Sequence, residues 1–162
     1  MNKNFEEIDY KNIVQFVTFN IDNEIYAIDI FYVQEILKKT SIISVPLTKD
    51  YIEGLMNIRG NIIPIVNMRK KMCKNYVEDT EDTRIIIISY NNRKVGFVVD
   101  SMNQVISIFK DKIQSKTSYD DKTFMSGIYV TKEKFTEDEN DIDDLEKFIT
   151  IVDINKLMEV DE

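Results

Sequence analysis

Apolar and polar residues alternate along this chain with a period of two rather than 3.6, in short runs broken by Asn, Asp and Gly. That pattern predicts strands joined by tight turns. Ile13–Ile21 (IVQFVTFNI) leads into Asp22-Asn23 and then EIYAIDI, and Arg84–Tyr90 (RIIIISY) leads into Asn91-Asn92 and then RKVGFVV. Asx pairs tolerate positive φ and suit two-residue hairpin turns.

The two passages are versions of one another. At an offset of 69 positions Tyr26, Ile28 and Ile30 fall on Val95, Phe97 and Val99, with Ala27 on Gly96, and Val33, Ile36 and Leu37 fall on Met102, Val105 and Ile106. Gly54-Leu55 matches Gly127-Ile128 at an offset of 73, and IIPIVNMRKKM (62–72) matches FITIVDINKLM (148–158) at an offset of 86. The jump from 73 to 86 places the extra residues in a hairpin end. In the first copy that end is Arg59-Gly60-Asn61, and in the second it is an acidic stretch over 133–147.

Each copy then holds four or five short strands, ending in a strand and one helical turn capped by Asn67 or Asp153. Strands this short leave fewer raw edges if each set closes into a small barrel. The expected architecture is all-β: two small five-stranded barrels from an internal duplication, packed around a groove, with short helices. The expected limits are a tail over 1–12, a first barrel over 13–80 and a second over 81–162, with terminal strands free to cross between them. Pro64 predicts an open edge at its place in the last strand of the first copy.

Composition narrows the chemistry. With 29 acidic against 21 basic residues the net charge is −8, so the phosphate-neutralising term behind nucleic-acid binding is missing. There is no histidine, which removes Ser-His-Asp and Cys-His nucleophile systems and the usual near-neutral acid-base group. The single cysteine, Cys73, cannot form an internal disulfide and fits a reducing compartment. The opening MNKNFEEIDYKN has no signal-peptide core, and the apolar run 85–88 is too short to span a bilayer. A cytoplasmic protein without metal or cofactor is expected.

Most candidate sites have an ordinary reading. DENDIDDLE offers oxygen ligands, but no frame supplies the glycine of a calcium loop, so it reads as a solvated hairpin end. Cys73 follows the basic run Arg69-Lys70-Lys71 without a partner base, and Lys38-Lys39 with Lys70-Lys71 read as solvated faces. The set Ile30, Val33, Ile36, Leu37 and its echo Val99, Met102, Val105, Ile106 is partly core; the remainder can line a groove between barrels that takes a partner helix. Arg59 stands alone in the apolar frame of EGLMNIRGNIIPIVNMRKKM, where a guanidinium on a rigid turn can grip a partner carboxylate.

The combination of YAIDIFYVQEI, EGLMNIRGNIIPIVNMR, VGFVVDSMNQV and ITIVDINKLM resembles the CheW family of bacterial chemotaxis coupling proteins, over nearly the whole chain. The resemblance implies two Src-homology-like barrels around a groove. It also implies a non-catalytic adaptor that ties the cytoplasmic tips of methyl-accepting chemoreceptors to the regulatory domain of the histidine kinase CheA, at receptor arrays on the inner face of the membrane and without insertion into it. Since the sequence contains neither kinase nor receiver motifs, a free-standing coupling protein is expected rather than part of CheA or CheV. Carried over, the arginine of the NLRG motif is Arg59, with Gly54, Asn57 and Gly60 shaping its loop. The VQEI glutamate is Glu35, beside Ile36, near the kinase contact. The receptor groove takes Ile30, Val33, Val98, Val99, Met102 and Val105 as candidates. Asn67 stands where the family usually has Asp, and the stretch 133–147 is longer and more acidic than the family's. The alternative is a small-ligand sensory module using the inter-barrel groove; an enzyme would need two acids converging on a pocket, and none is legible.

Overall fold

The computed structural model describes residues 10–46, 48–115, 124–134 and 144–159, with the side chains of 132–134 and 144–145 left aside. Among these residues eleven strands and two short α-helices run in chain order: β1 (Ile13–Ile21), β2 (Glu24–Asp29), β3 (Val33–Lys38), β4 (Ile52–Ile58), β5 (Asn61–Asn67), α1 (Met68–Lys71), β6 (Arg84–Tyr90), β7 (Arg93–Val99), β8 (Ser101–Phe109), β9 (Gln114–Ser115), β10 (Met125–Lys134), β11 (Asp144–Val152) and α2 (Ile154–Leu157). They form two sheets, ordered β8-β1-β2-β11-β10-β9 and β3-β6-β7-β5-β4. The all-β expectation holds. No helix among the described residues is long and apolar enough to cross a membrane.

Each sheet curls until the continuation of its first strand meets its last. Beyond β3 the chain returns so that Ile43 and Leu55 exchange both backbone hydrogen bonds, at 2.8 Å each. Beyond β8 the segment returns as β9, pairing Gln114 with Ile128. Leu55 and Ile128 are equivalent under the 73-residue offset, so the same closure is built twice. We call the β3-to-β7 unit the lower barrel and the other the upper barrel.

The sheets do not divide at residue 80. β1 and β2 join β8–β11, while β6 and β7 join β3–β5, so the two copies exchange their first hairpins. Two parallel pairings seal the exchange, Ala27 beside Ile151 and Gly96 beside Ile65. Those pairs are also equivalent, at offsets of 69 and 86. The predicted hairpin turns carry the expected left-handed backbone, with φ of 58° at Asp22 and 49° and 59° at Asn91 and Asn92. β5 lies inside its sheet, yet its ladder to β7 begins at Ile65, one residue past Pro64, so the proline sits where no ladder donor is needed.

Three apolar layers follow. Met56, Ile63, Ile65, Ile85, Ile87 and Val98 fill the lower barrel, and Phe16, Ala27, Ile108, Ile149 and Ile151 fill the upper one. Between the barrels lies a third core, which includes Phe19, Ile28, Val66, Ile86, Ile88, Phe97 and Val99. The middle strands β6 and β7 feed both a barrel interior and the central layer, which is why IIII and VGFVV read as continuous apolar runs. Asn67 accepts the Lys70 N–H at 3.1 Å, and Asp153 accepts those of Asn155 and Lys156, capping α1 and α2 as expected. β10 extends to Lys134 and β11 starts at Asp144, so the outer parts of the expected loop 133–147 are strand. Its centre, 135–143, falls outside the described residues.

Candidate functional site

Arg59 and Gly60 are the two central residues of the β4–β5 turn, flanked by the pair Ile58 and Asn61. Their φ values of 52° and 84° mark the double left-handed turn that matches strand twist. A Cβ on Gly60 would meet nothing within 4 Å, so glycine serves conformation here and not space. Asn57 Oδ1 accepts the Gly60 N–H at 3.0 Å and braces the turn from within β4. Arg59 adopts a conformation that disfavours a side chain, and the surrounding pairing holds it there.

The Arg59 side chain reaches across the barrel mouth, and its Nη2 donates to Glu35 Oε1 on β3 at 2.9 Å. The pair joins Arg59 and Glu35, which the sequence resemblance names in separate motifs. Arg59 remains 77% exposed and Glu35 21% exposed. The contact uses Nη2, and a guanidinium carries five donors, so a solvent-facing edge stays open to a bidentate acceptor. As an exposed ion pair it contributes about 0.2–1 kcal/mol. The contact biases the guanidinium toward β3.

The remaining expected residues separate. Gly54 does not shape the Arg59 turn; it lies in β4 where the chain closes the barrel against Ile43. Ile36 is exposed on β3, but it neighbours Glu35 along the strand and therefore points to the opposite face. Ile30 sits exposed in the turn between β2 and β3, Val33 and Met102 pack on the margin of the central core, and Val105 is exposed on β8. Val98 and Val99 are corrected: at 6% and 1% exposure they are core, because β7 is a middle strand covered on both faces. They cannot line a groove.

Phe31, Ile62 and Phe148 are among the exposed apolar residues that escape the pattern reading. Phe31, 84% exposed, follows Ile30 in the same turn. Ile62 and Phe148 are both exposed and are equivalent under the 86-residue offset, as Ile36 and Val105 are under the 69-residue one. Each barrel thus presents the same pair of apolar positions. Aligning the two copies pairs Ile62 with Phe148 as matching apolar positions, whereas Phe31 falls on Asp100 and has no such echo; alternation alone finds none of them, since both faces of these strands carry apolar residues.

One residue of each lysine pair is engaged. Lys39 Nζ lies 2.8 Å from Glu53 and 2.6 Å from Asp79, while Lys71 Nζ donates to the carbonyls of Leu157 and Glu159. A cavity of about 400 Å³ beside Tyr26, Met72, Cys73 and Phe124 is bordered by Lys71 and Lys74, and Lys74 is bound to Glu24 at 3.1 Å. The cations around it already have partners, which leaves little to attract an anionic ligand.

Known proteins share this arrangement. The chain is 37% identical to the chemotaxis protein CheW of Klebsiella aerogenes over 100 residues, which is 62% of this chain and 60% of that one. It is 36% identical to the chemotaxis protein CheW of Bacillus subtilis over 99 residues, 61% of this chain and 64% of that one. The aligned stretches thus span less than two thirds of these relatives. The crystal structure of the scaffolding protein TtCheW from Thermoanaerobacter tengcongensis superposes with a TM-score of 0.76 at 33% identity, covering 91% of this chain and 94% of that one. A profile of the CheW-like domain matches residues 15–162. Because that match runs through both barrels and takes in the Arg59 turn, the chain belongs to the family of the CheW-like domain.

Proposed function

We propose that this chain is a non-catalytic adaptor of bacterial chemotaxis, coupling the cytoplasmic tips of methyl-accepting chemoreceptors to the regulatory domain of the histidine kinase CheA. The observation that carries the reading is the Arg59–Glu35 pair. It sets a pre-oriented guanidinium on a rigid turn at one barrel mouth, in a chain whose family match spans both barrels. Ile30, Val33, Met102 and Val105 remain available at or near the surface for a receptor helix, and Ile36 and Ile62 supply apolar contact on the lower barrel. An adaptor transmits a signal only through different contacts with the two states of its partners, so two barrels offering separate surfaces suit the task. Its place is the inner face of the membrane, at receptor arrays.

Co-sedimentation of the purified chain with a receptor-tip fragment and, separately, with CheA at tens of micromolar tests the reading. Saturable binding to at least one of them is expected, and binding to neither overturns it. The comparisons with known proteins carry nothing toward a small-ligand module.

A further inference from the structure

The chain crosses between barrels at two places, in the turn Ile30–Tyr32 between β2 and β3 and at Asp100 between β7 and β8. Under the 69-residue offset these crossings are equivalent, with Phe31 at the position of Asp100. They are built with opposite chemistry.

At the second crossing, Asp100 receives a bidentate grip. Arg69 on α1 donates through Nε to Oδ1 at 2.8 Å and through Nη2 to Oδ2 at 2.6 Å. The same Oδ2 accepts the backbone N–H of Asp22 at 2.7 Å, in the β1–β2 turn of the other barrel. The Asp22 carboxylate stands 3.6 Å from Arg69 Nη2, and the Asp100 N–H donates to the Asn20 carbonyl at 3.2 Å. Arg69 Nη1 also donates to the Asn75 carbonyl at 3.1 Å, in the connector between the two copies. One guanidinium, its side chain 13% exposed, thus ties α1, the crossing, the opposite barrel's hairpin and the connector together. Planar, charge-assisted contacts of this kind fix angle as well as distance.

At the first crossing the aspartate caps its own turn instead: Asp29 accepts the Phe31 N–H at 2.9 Å. Phe31 faces solvent, Tyr32 meets Tyr90 edge-on with ring centres 5.5 Å apart, and the Tyr90 hydroxyl donates to Asn155 on α2. Aromatic contacts hold this side, and they can slide in a way a bidentate ion pair cannot.

We infer that Arg69 is the pin that fixes the angle between the two barrels, gripping Asp100 and the Asp22 turn, and that the Ile30–Tyr32 crossing is the yielding side about which they adjust. Resting on the adaptor reading, this makes Arg69 a positioning residue: it touches neither proposed partner surface, and it holds those surfaces in register so that a change at one barrel is felt at the other.

The test compares the wild-type chain with Arg69→Gln and with Asp100→Asn, the milder change. Spin labels at Lys38→Cys on the lower barrel and Ser115→Cys on the upper, in a Cys73→Ser background, report the inter-barrel distance. A single narrow distribution is expected in the otherwise unaltered chain and a broadened or displaced one in both variants. Hydrogen exchange of the β6, β7 and β1 amides should stay protected in each. Affinity for receptor tip or CheA alone should change less than about two-fold, while receptor control of the kinase falls at least about five-fold, the scale of an allosteric coupling. Unchanged narrow distances in both variants overturn the pin, as does global loss of amide protection in both, which would make Arg69 merely structural. A wild-type chain that binds neither partner overturns the adaptor reading instead, and the distances still judge the pin.

Discussion

A Cβ placed on Gly54 would lie 2.0 Å from the carbonyl oxygen of Ile43, with the Ile43 carbonyl carbon at 2.7 Å. The contact is backbone on backbone, so no side-chain rotation relieves it, and φ of +148° adds strain for any residue with a side chain. Gly54→Ala should therefore cost about 3–4 kcal/mol, at the severe end for point mutants. At the equivalent Gly127 the nearest atom is Ile113 Cγ2 at 2.7 Å, which can give, although the Gln114 carbonyl oxygen follows at 2.9 Å. Gly127→Ala should cost less than Gly54→Ala. Urea midpoints at constant m-value rank the two.

These glycines also mark what could be read from the sequence. Matching Gly54 with Gly127, and Ala27 and Gly96 with each other, predicts two like barrels, because each small residue marks a place where strands come close. The exchange of hairpins leaves no such trace: β1–β2 alternates in the same phase whether it pairs with β5 or with β11. Val98 and Val99 misled for a related reason, since a middle strand covered on both faces has no alternation by which to sort groove from core. Arg59 and Glu35 could be picked singly as motif residues. Their contact depends on the barrel closing, which brings residues 24 positions apart to one mouth.

Reversing the charge at this mouth separates partner binding from folding. Arg59→Glu puts two carboxylates together at an exposed site, so stability should fall by no more than about 1 kcal/mol. Affinity for CheA or the receptor tip should fall at least ten-fold, because the guanidinium's open edge is lost. The double exchange Arg59→Glu with Glu35→Arg should restore the ion pair and the thermal midpoint without restoring binding. Calorimetric titration alongside a thermal melt checks both. Recovered binding in the exchanged protein would mean that the pair, and not the arginine, is recognised.

Tyr26 and Glu24 give the folded state a pH signature at both ends. The Tyr26 hydroxyl donates to the Glu24 carboxylate, which also accepts Lys74 at 3.1 Å. Burial, then the Glu24 hydrogen bond, push the phenol pKa up; the Tyr26 hydrogen bond, then that of Lys74, hold the carboxyl down. A raised phenol contributes stability that is complete below the unfolded value of about 10 and is lost as pH climbs beyond it. A lowered carboxyl contributes stability that is complete above its unfolded value of about 4.3 and is lost as pH falls through the folded one. Tyr26→Phe should flatten both arms of a stability profile from pH 3 to 11, with a loss of about 0.5–1.5 kcal/mol at neutral pH. Equal slopes in variant and wild type above pH 10 would refute the alkaline half.

Asn67 holds two partners at once, one on each end of its amide. Its Oδ1 accepts the Lys70 N–H and caps α1, while its Nδ2 donates to Glu53 Oε1 at 2.8 Å. Asn67→Asp would keep the cap and turn the second contact into carboxylate against carboxylate, in a side chain that is largely buried. Lys39, 2.8 Å from Glu53, offsets part of the repulsion. The variant should lose about 1–3 kcal/mol at neutral pH, the range for replacing a hydrogen bond to a charged acceptor by a like-charge contact. The repulsion raises a folded-state carboxyl pKa, so the native variant binds a proton more tightly than its unfolded chain does. Its deficit should therefore be greatest above that raised value and shrink as pH falls toward about 4. Asn67→Ser, which keeps a capping oxygen and loses the donor to Glu53 without adding a charge, should show a deficit that changes less over the same range. Denaturant unfolding of wild type and both variants at pH 7.5 and pH 4.5 distinguishes these outcomes, and an equal deficit for Asn67→Asp at both pH values would show that the Glu53 contact is not what disfavours aspartate here.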